Sequence, residues 1–403
     1  MKIQFISSGL ESGKDGVGDY TRRLAGACVR MGHPCQMLSL NDKYASPTQA
    51  AIEYQVDGET KIPTLRLSAD TSWHQREKSA RSLTRSFVPD LMSLQFVPYG
   101  FHPKGLPFGL SKRLNRIGMN TTWHVMFHEL WIGSIGSGPW KKRIVGALQK
   151  RVVTKLLSTL KPPVIHTHAT PYVRLLKLLA PRVGQLPLFG NFDTELGNAD
   201  IGWGKLKQLL GTSDVQCVRG QHHIAGVFGS VHPEWDPRDF VNRWSQGCKE
   251  VGKSPLLVFL GKGVVSTPTN EPQSNHGSAH SRTEFGSHQA MIDELRRKVS
   301  VIVLGEHSDE HVASFLKSFD FVISTTPAIL SEKSSSSSSC RDFGLPVVVT
   351  RENQQDSSIE LDGFHLASQL DSKEIMALRR GPERPQRLNE IAGQFIASLK
   401  RAH

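Results

Sequence analysis

The sequence predicts an α/β protein of two Rossmann-like domains facing each other across a cleft, and three observations carry that prediction. Short apolar runs that read as buried strands alternate with amphipathic segments, in two successive series. The chain is 403 residues long, more than one hydrophobic core covers. Between Asn191 and His222 the periodicity weakens while Gly197, Gly202, Gly204, Gly211 and Gly220 crowd together, which marks a domain boundary.

The elements follow in order. "KIQFISS" is a strand, "GLESGKDGVG" a loop and "DYTRRLAGACVRMGH" a helix, with Asp19 as N-cap and Gly32 at a left-handed C-terminal stop. "PCQMLSL" is a second strand, so the first forty residues form a βαβ unit and the sheet is parallel. Strands at "LMSLQFV" (91–97), "TTWHVMF" (121–127), "PVIHTH" (163–168) and "QLPLFG" (185–190) continue the series, with the helical "WKKRIVGALQKRVVTKLLSTL" among them. The second series reads "HIAGVFG", "PLLVFLG", "VSVIVLG", "FDFVIST" and "LPVVVT" as strands. Its helices are "DPRDFVNRWSQGCKEVG", "QAMIDELRRKV" and "SDEHVASFLKSF", and the polar stretch 266–288 is an exposed loop. The tail puts Leu388, Ile391, Phe395, Ile396 and Leu399 on one face of a helix that docks on a domain. The predicted organisation is an N-terminal domain over 1–195, a linker over 196–222, a C-terminal domain over 223–383 and a docking helix over 384–403.

Forty-nine Lys and Arg against 37 Asp and Glu leave a formal charge of +12, which favours a phosphate-bearing ligand or an acidic membrane face. The basic residues are scattered, with little aromatic interleaving and no nucleic-acid module, so no nucleic-acid partner is expected. Hydrophobic residues at 38% and charged residues at 21% exclude a disordered chain. Five cysteines without a CxxC pair point to a reducing compartment. The opening "MKIQFISSGL" is too brief for a signal segment, and no run approaches the ~18 apolar residues of a membrane span. A cytoplasmic protein is expected, with the basic and apolar stripe "KKRIVGALQKRVVTKLL" available for peripheral contact with the inner membrane face.

The stretch "SEKSSSSSSCRDFGLP" falls in a crossover, because "FVISTT" ends at Thr326 and "PVVVT" starts at Pro346. Gly344 and Pro346 stop a helix that starts near Ser334. Two readings follow for the serines: a solvated linker, or a phosphate cradle of first-turn amides with Lys333, Ser334 and Ser335. His166 and His168 alternate on one strand and His222 and His223 are adjacent. No third ligand stands at a metal-like spacing, so no metal is expected.

Together, "GKDGVGDYTRRLA", "SLQFVPYGFHPKGLP", "HVMFHELWIG" and "LPLFGNF", then "GVFGSVHPEWD", "VFLGKG", "VIVLGEHSDEHVASFLKSFDFVISTTP" and "KSSSSSSCRDFGLPVVVTR", resemble the GT-B glycosyltransferases. The similarity is to the bacterial group related to glycogen synthase and sucrose synthase, over almost the whole length. It implies an acceptor-binding first domain, a second domain that binds a nucleotide-diphosphate sugar, and transfer without a cofactor or a tightly held metal. The acceptor class it implies is a glycan or a lipid-linked molecule.

Residue by residue, the resemblance sets Gly16 and Gly18 beside the donor phosphates, although a tight βα turn accounts equally for them. His128, with Glu129 adjacent, matches a histidine next to the transferred sugar; its plainer role is to close a strand end. Gly229 and Gly261 let backbone approach the nucleotide, and Thr325 and Thr326 stand at a strand's carboxyl end. Related retaining enzymes carry two glutamates where this chain has Ser331 and Ser339, with Glu332 one place off. They also carry an Arg and a Lys where "FGSVHPEWDP" offers only His232 before Arg238. The cationic role then falls to Lys333 and to Lys262 of "LGKG". The other class of function is a catalytically silent relative that binds nucleotide or glycan as a scaffold.

Overall fold

The computed structural model describes residues 1–47, 51–118, 121–135, 139–211, 215–232, 234–261, 289–352 and 363–401. They divide into two units, Met1–Asn191 with Leu388–His403, and Phe192–Arg387. Each is built on a predominantly parallel sheet with helices on its faces, the α/β architecture that the alternating pattern predicts.

The first unit holds β1 (Ile3–Ser7), β2 (Cys35–Asp42), β3 (Ile52–Asp57), β4 (Thr60–Ser68), β5 (Leu91–Phe96), β6 (Thr122–Phe127), β7 (Val164–Thr167) and β8 (Val183–Gln185). Their order is β3-β4-β2-β1-β5-β6-β7-β8, and β3 pairs antiparallel with β4 while the others run parallel. The antiparallel hairpin turns at Gly58-Glu59, where Gly58 has φ +59°.

Helix Gly16–Arg30 starts three residues earlier than the expected "DYTRRLAGACVRMGH". Its N-cap is Asp15, whose carboxylate accepts from the amides of Val17 and Gly18. Asp19 is not the cap, because it already lies in the first turn; there it accepts from the amide of Gly13 at 3.1 Å and from Arg22 at 2.6 Å. The strand read at 185–190 is also corrected. Pairing stops at Gln185 and the chain reaches Pro187, which has no N–H to donate to a ladder.

The C-terminal helix Arg387–Lys400 covers one face of the first sheet. Phe395, fully buried, lies 6.0 Å from the Phe5 ring and 5.0 Å from His124, and Ile391, Ile396 and Leu399 join the same core.

The second unit holds β9 (His222–Phe228), β10 (Ser254–Leu260), β11 (Ser300–Gly305), β12 (Phe321–Ser324), β13 (Val347–Val349) and β14 (Phe364–Leu366), all paired parallel. Their order, β11-β10-β9-β12-β13-β14, is the doubly wound 3-2-1-4-5-6 arrangement, whose direction reverses between β9 and β12. Apolar clusters around Trp244 on one side and Phe319 on the other bury both faces.

Residues 196–222, expected as a linker, belong to this unit. Helix Ala199–Leu210 packs on helix Asp309–Ser318, and Gly202 lets the two approach: a Cβ there would stand 2.4 Å from the carbonyl oxygen of Ser314. The loop read at 266–288 lies outside the described residues, and the helix expected after it is present over 289–296.

Candidate functional site

A cavity of about 180 Å³ opens at the reversal point of the second sheet. Phe228 and Ser230 at the end of β9, Ser324, Thr325 and Thr326 at the end of β12, and Ser334, Ser336 and Ser337 at the start of helix Ser335–Asp342 form its wall. The ends of strands at such a point are where doubly wound sheets take ligands. Hydroxyl groups dominate this lining and no carboxylate is part of it among the described residues, so its chemistry suits an anion. The volume is below the roughly 300–1,000 Å³ of pockets that enclose a drug-sized ligand. Its volume matches a phosphate-sized group rather than a whole nucleotide.

The serine run is helical, and small side chains are what its position demands. Ser334 is the N-cap: its Oγ accepts from the amide of Ser337 at 3.2 Å, and its carbonyl accepts from Ser338 at 2.9 Å. The amides of Ser335 and Ser336 lie in the first turn, where no intrahelical acceptor exists and the helix dipole is positive. Ser337 and Ser324 bring their hydroxyls to 3.2 Å. Gly229, at φ +95°, has Ser336 so close that a Cβ would sit 2.3 Å from its Oγ. Gly261, at φ +120°, packs on the Gly229 backbone in turn, with a Cβ position 3.2 Å from its Cα. Thr325 donates its hydroxyl to the carbonyl of Ser230 at 2.9 Å, joining the ends of β9 and β12.

The first unit carries a buried polar chain on one face of β5, β6 and β7. His168 Nδ1 lies 2.9 Å from the Leu186 carbonyl oxygen and its Nε2 lies 3.1 Å from Nδ1 of His128. Nε2 of His128 lies 2.9 Å from the Gln95 amide oxygen. The chain continues through Ser93 to His124 at 2.8 Å and from His124 to His166 at 3.0 Å. Tyr20 stands edge-on to His128 and His168 and stacks on Phe189. Burial, and then the neighbouring His166, push His124 well below the usual imidazole range; burial alone takes His166 down to about 4.

No protein-family model and no curated protein matches this sequence. Solved structures do share its backbone. The α,α-trehalose-phosphate synthase (UDP-forming) from Burkholderia xenovorans, in complex with glucose-6-phosphate, aligns over 99% of this chain and 100% of its own, with TM-score 0.55 at 11% identity. The E. coli trehalose-6-phosphate protein bound with UDP-2-fluoro glucose aligns over 100% and 96%, with TM-score 0.54 at 11% identity. A glycosyltransferase from Rickettsia africae aligns over 99% and 98%, with TM-score 0.52 at 10% identity. The fold is GT-B.

Within this GT-B chain the expected site residues separate by unit. Gly229, Thr325, Thr326, Ser334 and Ser335 gather at the cavity or its rim, and Gly261 supports Gly229 from behind. Glu332 and Lys333, both half-buried, end the 3-10 segment Ala328–Lys333 that leads into the N-cap, so Lys333 flanks the cavity without forming its wall. Lys262 lies outside the described residues.

Gly16, Gly18, His128 and Glu129 belong to the first unit. Gly16 and Gly18 are helical rather than in a loop, and a Cβ on Gly18 would stand 2.9 Å from the Gly9 carbonyl oxygen, which is a packing reason for that glycine. His128 is only 8% exposed with both ring nitrogens beside protein groups. His166 likewise turns Nδ1 to His124, and His168 turns its two nitrogens to the Leu186 carbonyl and to His128.

Ser331 and Ser339, where the resemblance called for glutamates, are buried and donate to the carbonyls of Pro327 and Ser335. A cation that the sequence reading passed over stands nearby. Arg351 follows β13, places Nη1 3.3 Å from the carbonyl oxygen of Thr325 and pairs with Glu234 at 2.7 Å. Its signal was present in the terminal Arg of "GLPVVVTR", at a strand's carboxyl end.

Proposed function

We propose that the chain is a glycosyltransferase that moves a sugar from a nucleotide-diphosphate donor to a glycan or lipid-linked acceptor, with the second unit holding the donor phosphates. The observation that carries this reading is the hydroxyl-lined, carboxylate-free cavity at the reversal point of the β11–β14 sheet, under the first turn of the serine helix. Structures of the same fold support it by the sugar nucleotide and sugar phosphate they hold. Lys333, Ser334 and Ser335 then hold phosphate, Gly229 and Gly261 let backbone approach the nucleotide, and Thr325 and Thr326 close the wall.

A thermal-shift series with UDP, GDP, ADP and CDP tests the reading. A ligand at about 100 times its Kd adds about 2.7 kcal/mol to the folded state, a rise of roughly 3 °C for a chain of this length. A flat response to all four overturns donor binding.

The buried, backbone-bonded hydroxyls of Ser331 and Ser339 favour the second reading, a scaffold that binds nucleotide without turning it over. Incubation with a panel of nucleotide sugars separates the two. Release of nucleoside diphosphate that Lys333→Ala abolishes supports the enzyme; a thermal shift without release supports the scaffold.

Helix Trp140–Leu160 supports contact with an anionic bilayer. Lys141, Lys142, Arg143, Lys150, Arg151 and Lys155 are all exposed on it, and no Asp or Glu occurs within it. Three of these cations occupy the first turn, against the helix dipole, beside Trp140 at 66% exposure and Ile144 at 53%. Sedimentation with phosphatidylserine vesicles that disappears in high salt is the expected result, and no binding at low salt overturns it.

A further inference from the structure

Arg351 lies one strand beyond the cavity, because β13 neighbours β12 in the sheet. Three strand ends are tied together there. The carbonyl of Arg351 accepts from the amide of Ala328 at 2.9 Å, and the indole of Trp235 donates to Thr350 Oγ1 at 2.8 Å. These bonds hold Trp235 after β9 and Thr350 and Arg351 after β13 in place without help from the guanidinium. The guanidinium itself reaches the carbonyl oxygen of Thr325, a wall residue, and the carboxylate of Glu234.

The two members of that ion pair differ sharply in surroundings. The Arg351 side chain is 15% exposed and the Glu234 side chain 77%. A guanidinium withdrawn from water needs a counter-charge, and burial already pushes Arg351 below the usual arginine range. Glu234 supplies that charge from a solvated position, where exchange for another anion exposes no new buried group. The cavity meanwhile offers hydroxyls and helix amides to an anion but no cation among its described wall residues.

We propose that Arg351 is the anion clamp of this cavity and that Glu234 is its resting counter-ion: an entering diphosphate takes the place of the Glu234 carboxylate on the guanidinium. The proposal rests on the donor-binding reading above and adds the residue that recognises the charge. Nothing covalent changes. One charge-assisted pair breaks as another forms.

Calorimetric titration of wild type, Glu234→Gln and Arg351→Gln with UDP and with inorganic pyrophosphate tests it. Arg351→Gln is expected to weaken both ligands roughly 10- to 100-fold, the loss of a charge-assisted hydrogen bond. Glu234→Gln removes the competing carboxylate from an exposed site and is expected to tighten both by about threefold, with the Arg351 contact to Thr325 intact. That gain cannot come from a merely structural ion pair. Wild-type binding that Glu234→Gln leaves unchanged or weakens overturns the clamp while leaving donor binding standing, even where Arg351→Gln folds poorly. No binding by wild type or by Glu234→Gln overturns both readings.

Discussion

Each unit of this chain brings a helix N-terminus to the carboxyl ends of its central strands, and the two are answered by opposite chemistry. In the first, Asp15 caps helix Gly16–Arg30 with its own carboxylate and takes the amides of Val17 and Gly18. Asp19 occupies the same turn. In the second, Ser334 caps helix Ser335–Asp342 with a neutral hydroxyl, and the serines around it bring no negative charge. A backbone site that attracts anions is therefore met by a carboxylate in one unit and by a neutral hydroxyl in the other, and the second is the one the proposed donor site uses. Similar topology does not confer similar function; the capping residue decides.

The comparison is most easily broken through the packing that supports the first sheet. Phe395→Ala removes a fully buried ring from between Phe5 and His124, and a loss of about 3–5 kcal/mol is expected in urea unfolding. A loss below about 1 kcal/mol contradicts the packing described for the C-terminal helix.

Acid is the next lever, because the first unit buries neutral histidines. The folded pKa of His166, about 4, lies below the unfolded value of 6.5, so the unfolded chain binds more protons between those limits. His166 therefore contributes its stability in full above about pH 6.5 and loses it as pH falls toward 4, a total of about 3 kcal/mol. His124 shifts in the same direction and adds to the slope. Urea midpoints measured from pH 7.5 to 4.5 are expected to fall steadily, and a flat profile denies that these rings are buried neutral.

How far the sequence foretold these regions follows from what each depends on. The serine helix was placed correctly because two apolar strands bracket it within about twenty residues, and a crossover of that length has room for one helix. The histidine chain was half visible. His166 and His168 alternate on one strand, but their contact with His124 and His128 depends on the register of β6 with β7, which local pattern does not encode. Arg351 depends on sheet order in the same way: only the adjacency of β12 and β13 brings it to Thr325. The β3–β4 hairpin was legible in Gly58-Glu59, a two-residue loop with glycine first, and went unread because β3 is exposed and mixed in polarity. Asp15 was missed as the N-cap because "GLESGKDGVG" reads as a loop; Gly18 is instead a close-packing residue inside the helix.

Gly229→Ala sharpens the comparison at the cavity itself. A φ of +95° strains any residue with a Cβ, and Ser336 Oγ stands 2.3 Å from where that atom would go. A loss of about 1–3 kcal/mol is expected, together with weaker nucleotide binding as the serine helix shifts. Pairing it with Ser336→Gly relieves the collision and leaves the backbone strain, so the double variant should recover part of the loss in a thermal-shift experiment. Complete recovery assigns the whole cost to the collision and none to φ.

The smallest effects discriminate best between the two helix ends. Asp15→Ala and Ser334→Ala each delete one N-cap, and each is expected to cost about 1 kcal/mol of stability. Their consequences for an anion should diverge. Ser334 is part of the cavity wall, so its removal weakens binding of UDP or pyrophosphate as well as stability. Asp15 caps a helix in the other unit, and its removal should leave the affinity at the serine helix unaltered while the melting temperature falls by a similar amount. Equal losses of affinity in both variants would trace the effect to general destabilisation and would deny the serine cap any part in holding phosphate.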